Sequence, residues 1–474
     1  MLKKFFGGGM DMLHGRLWDK ILFFSLQLAL TSLLQQIYNT TDVLVLGRYL
    51  GDDAMAAVGN NLPIIGILVS LFVGLSLGAN VVMARYIGQG DLKNANLTIY
   101  TSLLLAFTCG LIIAVPVVLG AAGITDLMGV PPSVHGFSVN YLVWYMAGMP
   151  FLSIFNFEAA LFRAHGNTMT PLLALVAASV LNVVLDLAAV KCGLGISGVA
   201  AATSLANFFS AVLLFIKLKH ERGVLKLEIG KLGHFEIRKA KAVIFIGLPA
   251  GVQAMVFSIS NLVIQGAINS LGAEVMAASA AALVFELNIY VFLMAFGMAA
   301  TTFVSQNYGA GNMQRCSQVV HSAMALNFAV TIFWASVVWF AGDRLIWLFT
   351  DSEKVADIAL VRMYTVILLY VICVPFEVLS GAMRGFGYSL PPALVTTFFI
   401  VGERMLWLVT VFKAHPDFQT LLITYPVSWI LVSPFIMWLY LRCVKKRTRE
   451  LAALTAQTKA NEVKTLKLKQ EGQA

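Results

Sequence analysis

Apolar runs of roughly twenty or more residues follow one another along the whole chain, separated by short polar breaks. In hydrocarbon a helix satisfies its own backbone hydrogen bonds, so this pattern predicts a polytopic helical membrane protein. Twelve spans are expected, near residues 20–47, 54–84, 94–121, 137–162, 168–190, 194–216, 242–269, 275–306, 316–341, 358–383, 391–412 and 419–441. Several exceed the ~20 residues needed to cross, so tilt or extension beyond the bilayer is expected. The alternating ten-residue strands of an outer-membrane barrel are absent from the pattern. Pro63, Pro116, Pro150, Pro249, Pro375 and Pro434 fall inside these spans. Neighbouring helices can satisfy the carbonyls that proline frees, and a population of prolines favours spans that bend.

Two blocks recur 221 positions apart. Leu50-Gly51, Met55-Ala56-Ala57, Gly88, Gly90, Arg163, Gly166 and Pro171 are echoed by Leu271-Gly272, Met276-Ala277-Ala278, Gly309, Gly311, Arg384, Gly387 and Pro392. The chain therefore reads as a duplication of six spans. An even number inserts both halves with the same polarity, related by an axis along the membrane normal. The expected fold is an all-α polytopic membrane protein of twelve transmembrane helices in two parallel-repeat six-helix lobes related by a pseudo-two-fold. The expected segments are an N-terminus over 1–19, a first lobe over 20–216, a linker over 217–241, a second lobe over 242–441 and a tail over 442–474. Part of the linker is expected to lie on the membrane surface as a helix, and the tail to be a frayed helix.

Composition agrees. Only 12% of residues are charged, against about 25% in soluble proteins. Of the 33 lysines and arginines, 26 fall in the N-terminus, the even-numbered loops, the linker and the tail. The positive-inside rule makes those segments cytoplasmic. The net charge of +9 is then a property of loops near anionic lipid, and nucleic acid is not an expected partner. Lys3-Lys4 precedes Gly7-Gly8-Gly9, which interrupts any signal-peptide apolar core. The five cysteines are scattered without a CxxC pair, suggesting neither disulfides nor zinc. No Gly-x-x-x-x-Gly-Lys-Ser/Thr occurs, and no HExxH or Gly-x-Ser-x-Gly accompanies the acids, so an ion gradient is the natural source of drive and no enzyme activity or cofactor is expected.

A carboxylate in hydrocarbon costs about 2.5–3.5 kcal/mol on insertion scales, so intramembrane acids are candidates for function. They are Asp42, Glu158, Asp186, Glu286, Glu377 and Glu403. Gln35, Asn39 and Asp42 share one face of the first helix, and Asn182 and Asp186 one face of the fifth. Thr203 reaches similar depth on the sixth. The repeat places Val263 and Trp407 opposite Asp42 and Asp186, so the cluster belongs to one lobe. Two carboxylates, an amide and a hydroxyl suit a hard monovalent cation such as Na+, with Asp42 and Asp186 as its charged ligands. They equally suit H+, because two crowded, desolvated carboxylates resist ionising together. A packing-only polar cluster is the plainer reading. Glu158 with Arg163, and Glu377 with Arg384, read as ion pairs near the cytoplasmic mouth. Glu286 and Tyr290, with Met294, are expected to line a cavity in the second lobe.

Asp42 to Gly51, followed by Ala56-Ala57-Val58-Gly59, resembles the first-helix exit of the multidrug and toxic compound extrusion (MATE) family. Arg163, Gly166, Asn167, Thr168 and Pro171 resemble its segment between helices four and five. Asn182 with Asp186, and Gly195 to Thr203, resemble helices five and six of its prokaryotic DinF-like branch, and Gly247 to Gly251 its seventh-helix opening. The resemblance implies two lobes opening alternately to either side. It implies export of organic, often cationic or drug-like compounds from the cytoplasm across a bacterial inner membrane, in exchange for H+ or Na+. It also implies a coupling site at Asp42, Asn182, Asp186 and Thr203. Ser25 to Leu30 carries no proline where many relatives have one. Small organic molecules and membrane lipid are the expected partners, and a monomer suffices. The alternatives are a flippase for a lipid-linked substrate, which would favour a cavity rich in basic residues, and a non-transporting receptor or scaffold.

Overall fold

The computed structural model describes residues 9–471, apart from the side chains of Asn39, Asp52 and most residues beyond Ala453. The first lobe comprises α1 (Trp18–Leu50), α2 (Asp52–Gly88), α3 (Leu92–Leu119), a short α4 (Ala121–Leu127), α5 (Pro132–Ala147), α6 (Met149–Ala164), α7 (Met169–Lys191) and α8 (Gly195–His220). The second comprises α9 (Ile237–Asn269), α10 (Ala273–Gly309), α11 (Met313–Ile346), α12 (Glu353–Arg362), α13 (Cys373–Gly385), α14 (Leu390–Thr396), α15 (Glu403–Trp407) and α16 (Phe418–Glu471). Among the described residues, eleven stretches are helical, long and apolar enough to cross a membrane. The twelfth span is the pair α5 and α6, divided at Gly148. Pro150 has no N–H to offer the carbonyl of Met146, and a Cβ on Gly148 would lie 2.7 Å from the Ser204 Cα of α8. In the tenth span, wider and then tighter turns over residues 363–372 precede Pro375, which cannot donate to the carbonyl of Val371.

The duplication extends to backbone detail. Helices α2 and α10 have 37 residues each and start 221 positions apart. Gly51 and Gly272 precede them with φ of 85° and 101°, a conformation that admits glycine far more readily than other residues. Asp91 caps α3 through the Asn94 N–H, and Asn312 caps α11 through the Arg315 N–H at the corresponding place.

Among the described residues, the closest backbone approaches between the lobes lie toward one end. Gly74 and Gly78 of α2 face Gly247 and Gly251 of α9, so closely that added Cβ atoms would overlap the opposing backbone. A Cβ on Gly247 would come 2.6 Å from the Leu75 carbonyl oxygen. Paired small-xxx-small stripes allow such approach of membrane helices. Gly88 and Gly309 likewise meet the backbones of α10 and α2. Gly59, Gly66 and Gly266, in the other halves of α2 and α9, have no neighbour within 4 Å. The closed end is the one carrying the basic loops.

Residues 9–17 strap that closed end. The Met10 N–H donates to the Gly166 carbonyl of the first lobe (3.2 Å). The Met12 carbonyl accepts from Asn307 (3.2 Å) and Arg315 (3.3 Å) of the second, and Met12 is fully buried. The linker departs from the expected surface helix. It forms two single turns, Gly223–Leu225 and Ile229–Lys231, and buries Val224, Leu225 and Leu227 against the first lobe. Gly223, Gly230 and Gly233 break helical continuity, and Asn96 of α3 donates to the Val224 and Lys226 carbonyls. Helix α16 continues unbroken from its membrane portion to Glu471.

Candidate functional site

Asn182 and Asp186 lie one turn apart on α7 and face Asp42 of α1 and Thr203 of α8. All four are buried, the most exposed being Asp42 at 3%. The Thr203 hydroxyl donates to Asp42 Oδ2 (3.0 Å). The Asn182 amide donates to Asp186 Oδ1 (3.4 Å) and reaches Thr203 Oγ1 (3.5 Å). Asn182 and Thr203 thus link the two carboxyls into one cluster. Asp42 Oδ1, Asp186 Oδ2 and Asn182 Oδ1 are buried with no hydrogen-bond partner. Three orphaned oxygens at one point need a positive charge or a proton. Tyr38, whose hydroxyl donates to the Thr203 carbonyl (3.4 Å), stands beside the cluster with Tyr141 and Tyr145 of α5. The sequence reading does not single out these tyrosines, although Tyr38 stands four residues before Asp42 on α1 and Tyr141 and Tyr145 are four apart on α5, the same one-turn spacing that marks Asn182 and Asp186. Gln35 is half-buried and makes no hydrogen bond to the cluster among the described residues. The Asn39 side chain lies outside the described residues.

The repeat leaves a partial echo in the second lobe. Glu403 and Thr424 occupy the positions equivalent to Asn182 and Thr203, and the Thr424 hydroxyl donates to Glu403 Oε2 (3.1 Å). Val263 replaces the first acid. Trp407 replaces the second and spends its indole N–H on the Thr420 carbonyl (2.9 Å). The 221-residue offset signals this pair in the sequence.

Between the lobes, lined mostly by the second, lies a cavity of about 510 Å3. Glu286, Tyr290 and Met294 line it. Glu286 accepts from Arg362 Nε (2.7 Å), and Arg362 also donates to Ser279 (2.5 Å). Tyr290 donates to Glu377 Oε1 (2.8 Å). The expected ion pairs at the mouth do not form. Both Glu158 oxygens are buried without a partner, while Arg163 points into the cavity. Arg384 donates to Gln253 (2.9 Å), not to Glu377. Among the described residues no group of three or more His, Cys, Asp or Glu could hold a metal ion.

The MatE family model matches residues 28–188 and 249–406, one segment in each lobe. The chain belongs to the MATE family. It is 25% identical over 398 residues to the probable multidrug resistance protein YoeA of Bacillus subtilis, covering 82% of this chain and 85% of that one. It is 26% identical over 390 residues to the probable multidrug resistance protein NorM of Thermotoga maritima, covering 79% and 81%. A crystal structure of MATE in the bent conformation superposes with a TM-score of 0.83 at 20% identity, covering 93% of this chain and 99% of that one. These MATE relatives are transporters associated with drug and toxin efflux, not enzymes, and the fold is theirs.

Proposed function

We propose that this MATE transporter is a secondary antiporter that exports small organic compounds from the cytoplasm as H+ or Na+ enters at Asp42, Asn182, Asp186 and Thr203. The observation that carries the reading is the buried two-acid cluster with three unpartnered oxygens, present in one lobe and degenerate in the other. Two buried acids are a poor choice for a cluster that only packs helices, and a receptor or scaffold would have no use for them.

With the basic loops cytoplasmic in a bacterial inner membrane, the lobes are closed inward and the cavity lies on the outward path. The segments 1–19 and 442–474 and the linker over 217–241 then flank the two lobes on the cytoplasmic side. A cation entering from outside neutralises the acids and lets α1, α7 and α8 repack. The differential affinity of the cation for the two packings sets how far it shifts the balance between faces. Cargo released outward is thereby coupled to cation entry.

The test is Asp42→Asn in proteoliposomes carrying imposed pH or Na+ gradients. Gradient-driven export is abolished while the folded, monodisperse protein is retained. Export at wild-type rate by this variant rejects the assignment. Flipping of a lipid-linked substrate is the second reading, favoured by the arginines around the cavity. Transfer of such a lipid without efflux of soluble cargo decides for it.

A further inference from the structure

The charge of the cavity wall does not suit a cation. Four arginines line it, Arg163, Arg362, Arg384 and Arg404, against two carboxylates, Glu286 and Glu377. Among the described residues the one ion pair in that wall is Glu286 with Arg362. Glu377 is engaged by the Tyr290 hydroxyl. Three guanidinium groups therefore face one remaining carboxylate, leaving the wall two charges positive.

These guanidinium groups are also short of acceptors. Arg404 is 5% exposed, donates once to Asn261 (3.2 Å), and keeps a buried, unpartnered Nε. Arg384 donates once to Gln253 and likewise keeps a buried, unpartnered Nε. A guanidinium carries five N–H donors in a planar fork that matches carboxylate and phosphate oxygens. Burying one with most donors idle is costly unless an anion completes it. Beside the fork the wall is aromatic. The Arg404 guanidinium lies 4.3 Å from the Tyr425 ring centroid, and Tyr370 and Trp429 pack within 5.5 Å of each other at the same wall.

We propose that the cavity takes an aromatic anion, a flat ring bearing a carboxylate or phosphate, with Arg404 holding the anionic group and the Tyr425–Trp429 wall holding the ring. The proposal rests on the reading that this cavity is the cargo path. The anionic group belongs to a free solute or to a lipid headgroup, two sources with the same chemistry.

The full chain in phosphatidylcholine nanodiscs is dialysed against three probes sharing one ring: 1-naphthyl phosphate, 1-naphthalenemethanol and 1-naphthylmethylammonium, with empty nanodiscs as reference. The phosphate is expected to bind at least tenfold tighter than the alcohol, and the ammonium weakest. Arg404→Gln lowers phosphate affinity about tenfold and leaves the alcohol within twofold, whereas Arg404→Lys restores part of the loss. Tightest binding of the ammonium overturns the proposal. So does equal weakening of all three probes by Arg404→Gln, the mark of a merely structural residue. Displacement of the phosphate probe by short-chain phosphatidylglycerol keeps the anion site and assigns it to a headgroup; no displacement keeps it for a free solute. Gradient-driven export of the ammonium with no phosphate binding defeats this inference alone. Selective phosphate binding without any gradient dependence of export defeats the coupling reading alone.

Discussion

Replacing Gly247 by alanine isolates the contact that holds the lobes shut. The added methyl lies 2.6 Å from the Leu75 carbonyl oxygen and 2.7 Å from its Cα, where ordinary van der Waals contact begins near 3.4 Å. Both opposing atoms are backbone, so the α2–α9 crossing must open by roughly 0.7 Å. A gap of that size forfeits about a quarter to a half of each contact well along the seam. Overpacking of this kind costs about 1–3 kcal/mol. The cost falls only on the state in which the helices touch, so about 2 kcal/mol lowers the closed-to-open ratio at the basic end roughly 30-fold. Spin labels on the exposed residues Lys93 and Gln314, in a cysteine-free background, report the separation of the lobes at that end by electron double resonance. Gly247→Ala is expected to add a longer-distance population. Gly266→Ala, on the same helix but with nothing within 4 Å, leaves the distribution unchanged. A distribution unmoved by Gly247→Ala, or moved equally by both substitutions, refutes the idea that the glycine seam sets the closed state.

Thr203→Ala removes a hydrogen bond to Asp42, and bonds to charged groups are worth about 1.5–3 kcal/mol. That bond favours the ionised carboxylate, so the half-saturating H+ concentration for export should fall roughly 10- to 100-fold, read by titrating H+ outside loaded vesicles. Arg362→Gln strands the buried Glu286 carboxylate at a cost of about 3–5 kcal/mol. A clear fall in melting temperature follows, and Glu286→Gln together with Arg362→Gln recovers part of it. Met12→Asp places an unpaired charge where the strap is fully buried. Faster amide hydrogen exchange over residues 9–17 is the expected sign that the strap has lifted.

Much of the architecture is legible because membrane helices announce themselves through apolar length, and the repeat survives at glycines whose positive φ leaves little choice of residue. Asp42, Asn182, Asp186 and Thr203 come together because i,i+4 spacing and equal depth are local properties. What was hidden depends on rotation and on distant partners. Glu158 and Arg163 are five residues apart, which turns their side chains roughly 140° from one another on an α-helix. Glu377 and Arg384 share a face but stand about 10 Å apart along the axis. Neither pair closes. Arg163, Arg384 and Arg404 come from α6, α13 and α15, and only packing shows that they border one cavity. The linker's apolar residues suggested a surface helix, but its glycines break the helix and the same side chains find a better partner in the first lobe.

The two asymmetries between the halves have a common logic. In one lobe, acids and arginines at the observed numbers would pair, and each charge would quench the other's binding capacity. Glu286 and Arg362 show this outcome, a closed pair with little left to offer a ligand. Duplication allows the halves to diverge: Val263 and Trp407 remove the acids opposite the first lobe's cluster, Tyr141 and Val183 stand where the second lobe has Arg362 and Arg404, and both halves keep an arginine at Arg163 and Arg384. The acid cluster then lies within the first lobe, and the basic cavity between the lobes, mostly against the second. An anion leaving while a cation enters moves charge in the same sense, so an inside-negative potential drives both, by about 2.3 kcal/mol per charge per 100 mV. A carrier of this polarity draws on the potential twice in one cycle, which a cation-for-cation exchanger of equal stoichiometry does not.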